Sequence, residues 1–295
     1  MMRMRTTRIF SLLAIFAIGL PLGANAQENA AHSINVMSFN LRYNTPNDGA
    51  NAWPERKELV ATTILFHRAD LLGVQEALHE QMLDMQQTLT EFKWVGVGRD
   101  DGKTQGEYSA IFYRHARFEM IEHGNFWLSE TPEQVGSVGW DAAITRIVTW
   151  ARFKDKRSGK TFLLCNTHFD HMGQKAREES AKLLRARSAA LAHGVPIIIT
   201  GDFNANETSL VYQTMIAPPE KDQRIMKNAR ALSALPHVGP AWTFHGFGKA
   251  TERPWIDYIF VSEGVRVLRH AALYEYGEER YPSDHLAVFS ELELH

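Results

Sequence analysis

Short apolar runs rich in Val, Ile and Phe recur along almost the whole chain, and most of them stop at an acid, an amide or a histidine. The runs Ile34–Phe39, Asp70–Gln75, Ser109–Tyr113, Phe118–Glu122, Ile147–Phe153, Phe162–His168, Val195–Thr200, Ile256–Val261 and Leu286–Leu292 have the length and composition of strands. Helical patterns separate some of them: Trp53 to His67, opened by Trp-Pro-Glu, then His79–Leu89, then the long Gln174–His193. Strand-rich blocks interleaved with single helices point to an α/β or α+β sandwich with its helices outside. Strict strand–helix alternation fails between Trp94 and Phe153, which argues against a TIM barrel or a Rossmann fold. Neither a G-x-G-x-x-G after a strand nor a G-x-x-x-x-G-K-[ST] occurs, so nucleotide-cofactor chemistry has no support.

Composition narrows the class. Of 295 residues 44% are hydrophobic, which excludes disorder, and the single Cys165 excludes a disulfide framework. Residues 1–26 read as an export signal: Arg3, Arg5 and Arg8, an apolar run Ile9–Leu22, then Ala24-Asn25-Ala26 before Gln27. That run falls short of the roughly 20 residues needed to span a bilayer. The expectation is therefore one mature domain, 27–295, monomeric and periplasmic or extracellular, with no membrane-spanning segment. Its 29 basic groups face 34 acidic ones, a net charge of −5. Polyphosphate binding rests on Lys and Arg, so no stable nucleic-acid partner is expected.

The polar residues that end the apolar runs carry the chemistry. They are Ser38-Phe39-Asn40, Gln75-Glu76, Asn166-Thr167-His168, Gly201-Asp202-Phe203-Asn204 and Ser283-Asp284-His285, with Trp255-Ile256-Asp257-Tyr258 opening a strand instead. Any one of them suits ordinary turn and cap chemistry. Together they bring amides, acids and histidines to the edge of one sheet core. That is what metal-assisted attack of water on phosphorus requires.

In this order the six motifs resemble the endonuclease/exonuclease/phosphatase superfamily, over residues 38–285. The resemblance implies a four-layered α/β sandwich, two mixed β-sheets face to face with helices outside. It implies a phosphoester hydrolase using one or two divalent ions, Mg2+ or Mn2+. Glu76 matches the principal metal ligand, its alternative being a cap for the helix near His79. Asn40 and Asp284 match positions that complete or adjoin the metal shell. Asp202 matches the group that orients or deprotonates the attacking water, and Asn204 the group that holds that water or a phosphoryl oxygen. Gly201 is expected to allow a tight turn there. His168 and His285 match donors to the phosphoryl group, with Glu107 fixing the tautomer of His168 and Asp257 that of His285. Arg146 matches a phosphate-contacting arginine, against an ordinary strand-end cation.

His-Phe-Asp-His at 168–171 partly resembles a zinc motif, but Asn166 stands where its first His would be, so the cluster is incomplete. Asp170 and His171 are then either substrate contacts or loop structure. Arg177 either faces the same mouth, reaching substrate phosphate, or lies on a solvated helix face. Cys165 reads as a buried, inert thiol. Trp53, Trp127, Trp140, Trp242 and Trp255 lie in or near loops, where they serve either substrate stacking or the core.

The substrate follows only by elimination. Inositol polyphosphates call for dense Lys/Arg at the mouth and Asn-Tyr-Arg after Gly-Asp, but Ala205 and Asn206 follow Asn204 here. No apolar hairpin suits a membrane-bound sphingolipid, and the acidic charge disfavours a nuclease acting on DNA or RNA. A phosphodiesterase acting on a small or glycan-linked phosphoester remains. The non-enzymatic alternative is a silent phosphate-binding sandwich; its mark would be loss of Glu76, Asp202 or His285, and all three are present.

Overall fold

The structure, a computed structural model, describes residues 32–220, 223–276 and 280–295; the expected export segment 1–26 lies outside them. Residues His32–His295 cluster as one unit around two six-stranded mixed sheets. The first contains β1 (Ile34–Asn40), β2 (Leu71–Gln75), β3 (Phe92–Val95), β4 (Ile111–Arg114), β11 (Val265–Leu273) and β12 (Ala287–Leu294), in the order β11-β12-β1-β2-β4-β3. The second contains β5 (Phe118–Trp127), β6 (Ile147–Asp155), β7 (Thr161–His168), β8 (Ile197–Asp202), β9 (Met226–Asn228) and β10 (Asp257–Ser262), in the order β5-β6-β7-β8-β10-β9. Each sheet has one parallel pair at its centre, β1 with β2 and β7 with β8, and antiparallel neighbours on both sides. The two sheets thus repeat one ladder pattern, although the sequence shows no internal repeat.

Helices cover the outer faces, which completes four layers. Helix α1 (Trp53–Phe66), with Pro54 in its first turn, and α2 (His79–Thr88) bury Val60, Ile64, Met82 and Met85 among Phe39 and Val74 of the first sheet. Helices α3 (Gln174–Ala192) and α4 (Leu210–Ile216) bury Leu184 and Met215 against the second sheet, and α5 (Ala229–Leu232) is a single turn after β9. Helix α3 stops where His193 turns left-handed (φ 49°) before Gly194. Between the sheets, Val36, Leu71, Ile111 and Tyr113 meet Phe153, Leu164 and Ile198. Trp53, Trp127 and Trp255 are also buried, which places them in the core. Among the described residues no helix is long and apolar enough to cross a membrane.

Toward the site the inter-sheet core turns polar. Asn166 Nδ2 donates to the carbonyls of Val74 (2.8 Å) and Ala110 (2.9 Å), while its Oδ1 accepts from Gln75 (2.7 Å) and Thr200 (2.9 Å). The Asn of Asn-Thr-His is therefore a bridge between sheets. Gly73 makes that bridge possible: a Cβ there would stand 2.2 Å from Thr200 Oγ1 and 2.5 Å from Asn166 Oδ1. At the other end Arg117 ties the layers through Asp155 (3.1 Å) and Asp70 (2.9 Å).

On β11 the buried His270 meets a half-buried His237, their Nδ1 atoms 3.0 Å apart, with the Trp255 ring against both. Burial pushes His270 down to about 3 and lowers His237 as well. A free histidine titrates near 6.5, so both folded values are depressed. The neutral pair is fully stabilising above about pH 6.5 and loses stability as pH falls toward the folded values, by roughly 1.4 kcal/mol per pH unit for His270. The melting temperature should fall between about pH 6 and 4, and His270→Phe should flatten that fall. Thermal unfolding across a pH series checks it; an equally steep fall in the variant would contradict the assignment.

Candidate active site

Both parallel pairs end at the same edge of the sandwich, and the residues there enclose a cleft of about 710 Å3, within the range that holds a small ligand. Glu76 follows β2 directly and Asn204 lies just beyond β8, both left-handed (φ 64° and 46°) although neither is glycine. Such a conformation costs on the order of 1–3 kcal/mol and is retained where the surroundings fix it. The turn expected at Gly201 is made at Asn204 instead. Gly201 itself is inside β8, where a Cβ would come within 2.6 Å of the Thr167 carbonyl.

Asn40 is a crossbar between the two sheets' acids. Its Nδ2 donates to Glu76 Oε1 and to Asp202 Oδ2, each at 3.0 Å, while its Oδ1 accepts the Arg42 N–H at 2.9 Å. Asp202 Oδ1 accepts the Asn204 N–H (2.9 Å). Burial, reinforced by the Asp257 charge, pushes the Asp202 carboxyl up to about 7. Burial also raises Asp284, which lies in the cleft wall.

The two histidines are set to opposite charges. His285 Nδ1 lies 2.9 Å from Asp257 Oδ2, and its Nε2 lies 3.7 Å from Asp202 Oδ2. Burial opposes its protonation, but the Asp257 and Asp202 charges prevail and hold its pKa well above the usual value. His168 lies opposite Asp202 in the β7–β8 ladder, with Nε2 3.1 Å from Asn204 Nδ2. Burial and the nearby Arg146 and Arg99 charges hold it well below the usual value. At neutral pH the cleft thus presents a cationic His285 and a neutral His168.

Two arginines complete the lining. Arg146 is held by Asp170 (3.5 Å) and His171 (3.0 Å), yet its buried Nη1 has no partner among the described residues. A buried donor left over in a cleft wall is one that a ligand oxygen can satisfy. Arg42 grips Asp48 with two bonds (3.0 and 3.1 Å), lies 3.9 Å from Glu76 and stacks on the Tyr43 ring at 4.3 Å. Ligand atoms of Glu76, His168 and Asp202 lie within 4.8 Å of one another, as do those of Asp202, Asp257 and His285. Carboxylate oxygens suit a hard divalent ion. Burial raises the Asp202 and Asp284 carboxyls, and a cation beside them would offset that cost. The donor set fits such an ion.

Residues 37–285 match the model of the endonuclease/exonuclease/phosphatase family. The chain belongs to that family. A crystal structure of a Bacteroides vulgatus member is 42% identical, covering 89% of this chain and 99% of its own, with a TM-score of 0.84. A mannosyl-6-phosphatase from Bacteroides thetaiotaomicron is 38% identical over 88% of this chain and 99% of its own, with a TM-score of 0.82. Human Nocturnin is 25% identical over 86% of this chain, which spans 64% of Nocturnin's length. The chain is a phosphoester hydrolase of this family, built as two mixed sheets with helices outside.

The cleft brings together Glu76, Glu107, Arg146, His168, Asp202, Asn204, Asp284 and His285, with Asn40 and Asp257 behind them. One expected pairing needs correction, and two residues left open take their structural alternative. Glu107 does not pair with His168; Arg99 takes both its oxygens (2.7 and 2.9 Å), and burial with the Glu76 charge pushes it up to about 7. Asp170 is not a substrate contact, since its oxygens accept the backbone N–H groups of Ala143, Met172 and Gly173 and hold Arg146. Arg177 lies outside the main cleft, bonded to the Asp170 carbonyl (3.0 Å) in a neighbouring groove. Asn40 faces the acids with its nitrogen rather than its oxygen. Sequence reasoning missed Arg42 and Arg99; the only prior signal for Arg42 was its place two residues after Asn40.

Proposed function

We propose that this protein is a divalent-metal-dependent phosphatase whose substrate is a phosphate ester of a sugar. The pair His285 and His168 on either side of Asp202 carries the reading, because their titrations are driven apart in the way acid–base work at phosphorus needs. Similarity to a mannosyl-6-phosphatase at 38% identity supports the sugar. When bound by Glu76, with Asp202 and Asp284 alongside, a divalent ion would supply positive charge to the phosphoryl oxygens and lower the pKa of a water.

The chain's own residues do the rest. Asp202, whose burial raises its carboxyl above the usual range, is placed to accept a proton from the attacking water. Its Oδ1 accepts the Asn204 N–H and its Oδ2 the Asn40 amide, and the remaining lone pair of Oδ2, on the His285 side, is the one that can take the water's proton. His285, kept cationic by Asp257, offers its Nε2 proton to an oxygen on which negative charge grows. Arg146 Nη1 binds a second phosphoryl oxygen. The new P–O bond to water forms as the ester P–O bond breaks, giving inorganic phosphate and the free sugar.

A diester is the second reading, since a cleft of 710 Å3 has room for another substituent. Phosphate release from mannose 6-phosphate, compared with turnover of bis(p-nitrophenyl) phosphate and of plasmid DNA, decides between them. EDTA should stop turnover and added Mg2+ or Mn2+ restore it. Undiminished activity in excess chelator would overturn the metal assignment. The same reading has the enzyme working as an exported monomer, and its secreted form should begin at Gln27 by N-terminal sequencing.

A further inference from the structure

The cleft continues into two annexes, and reaction geometry distinguishes them. One, of about 260 Å3, shares Asn204, Ala205 and Asn206 with the cleft. The other, of about 250 Å3, shares Arg42 and Asp284. In phosphoryl transfer the attacking and leaving oxygens stand roughly in line on opposite sides of phosphorus. With Asp202 and Asn204 holding the water, the first annex lies on the side of attack. The second adjoins Arg42 and Asp284 and contains neither residue that holds the water, which leaves it for the departing group.

We propose that the second annex, built by Arg42, Asp48, Asn51, Phe247 and Lys249, is the subsite that binds the sugar leaving group; this rests on the phosphatase reading above. Phe247 is left-handed (φ 54°) between Gly246 (56°) and Gly248 (79°), a strained setting for a bulky side chain. Its ring is half-buried and lines the annex, offering an apolar face for the C–H side of a sugar. The side chains of Asn51 and Lys249 hydrogen-bond to no other described residue, so both are available to hydroxyls. Asp48 and Arg42, paired with each other, offer further polar edges. Mixed acid, amide and cation beside an aromatic face suit a polyol better than a second phosphate.

The annex is also fastened to the catalytic loops. Buried Arg56 of α1 donates to the carbonyls of Asn51 (2.8 Å), Arg42 (2.7 Å) and Pro282 (2.9 Å), and its guanidinium lies 5.6 Å from the Phe247 ring. One side chain therefore fixes the annex wall, the Arg42 loop and the start of Ser283-Asp284-His285. A site supported in this way is held rigidly.

The test compares mannose 6-phosphate with ethyl phosphate, whose leaving group is too short to reach the annex, using the Mn2+-loaded enzyme. Phe247→Ala, and separately Asn51→Ala with Lys249→Ala, should lower the ratio of the two kcat/KM values by about tenfold. Free mannose should inhibit the unaltered enzyme and lose that effect in both variants. If Phe247→Ala fails to fold, the surface-lying pair still gives the reading. Equal losses on both substrates, or none on either, would overturn the subsite and leave the phosphatase standing. Failure of the unaltered enzyme to release phosphate from any ester would overturn both.

Discussion

Asp257→Asn should lower kcat about a thousandfold while the protein keeps its fold. The change is isosteric and removes one negative charge from a buried position. His285 is buried, and burial by itself favours the neutral imidazole; the Asp257 charge is the largest influence opposing it. Without that charge the ring loses its proton near neutral pH, and the amide no longer selects which nitrogen carries the hydrogen. The phosphoryl oxygens then lose a charged donor as their own charge grows. His285→Ala removes the same donor, so Asp257→Asn added to His285→Ala should cost little more, as expected for residues acting as a unit. Steady-state kinetics of the three variants, with thermal melts as a fold control, measure this. Independent, multiplicative losses would contradict the pairing.

The largest stability effect is expected from one methyl group. Gly73→Ala should cost about 3 kcal/mol or more, because the new Cβ falls 2.2 Å from Thr200 Oγ1 and 2.5 Å from Asn166 Oδ1. Both are buried polar atoms already hydrogen-bonded, Asn166 across the inter-sheet seam and Thr200 to Asn166 beside it, with no freedom to retreat into an apolar gap. Either the sheets move apart or Asn166 abandons the Val74 and Ala110 carbonyls, which then stand buried without it. For a domain of this size that corresponds to a fall of roughly 10 °C in melting temperature. Urea or thermal unfolding reads it directly, and a loss under 1 kcal/mol would show the seam to be looser than described.

Much of the site was legible because its residues interrupt apolar runs. Glu76, His168 and Asp202 end or follow strands, and Asp257 opens one. A polar side chain there has no place in the core and is conspicuous. What the sequence hid are groups whose meaning arises only from folding. Arg56 sits in Glu-Arg-Lys on a helix and reads as solvated, yet it is buried and bonded to loops far apart in the chain. Arg99 looked unremarkable, but the bridge between Gly98 and Tyr108 brings it against Glu107, displacing the expected His168 partnership. Strand β11 escaped notice because it lies at a sheet edge, with Arg266 and Arg269 facing outward toward Glu293 and Glu291. The shared ladder pattern of the two sheets left no repeat in the residues. Backbone pairing tolerates many sequences, and only the strand-end chemistry is specific.

In the proposed reaction a water activated at Asp202 attacks phosphorus beside a bound divalent ion. The most direct test is inorganic phosphate release from mannose 6-phosphate by the purified protein with Mn2+, run beside Asp202→Asn. The unaltered protein should release phosphate, and the variant should be slower by about a thousandfold or more with its melting temperature retained. Release at an undiminished rate by Asp202→Asn would contradict the account.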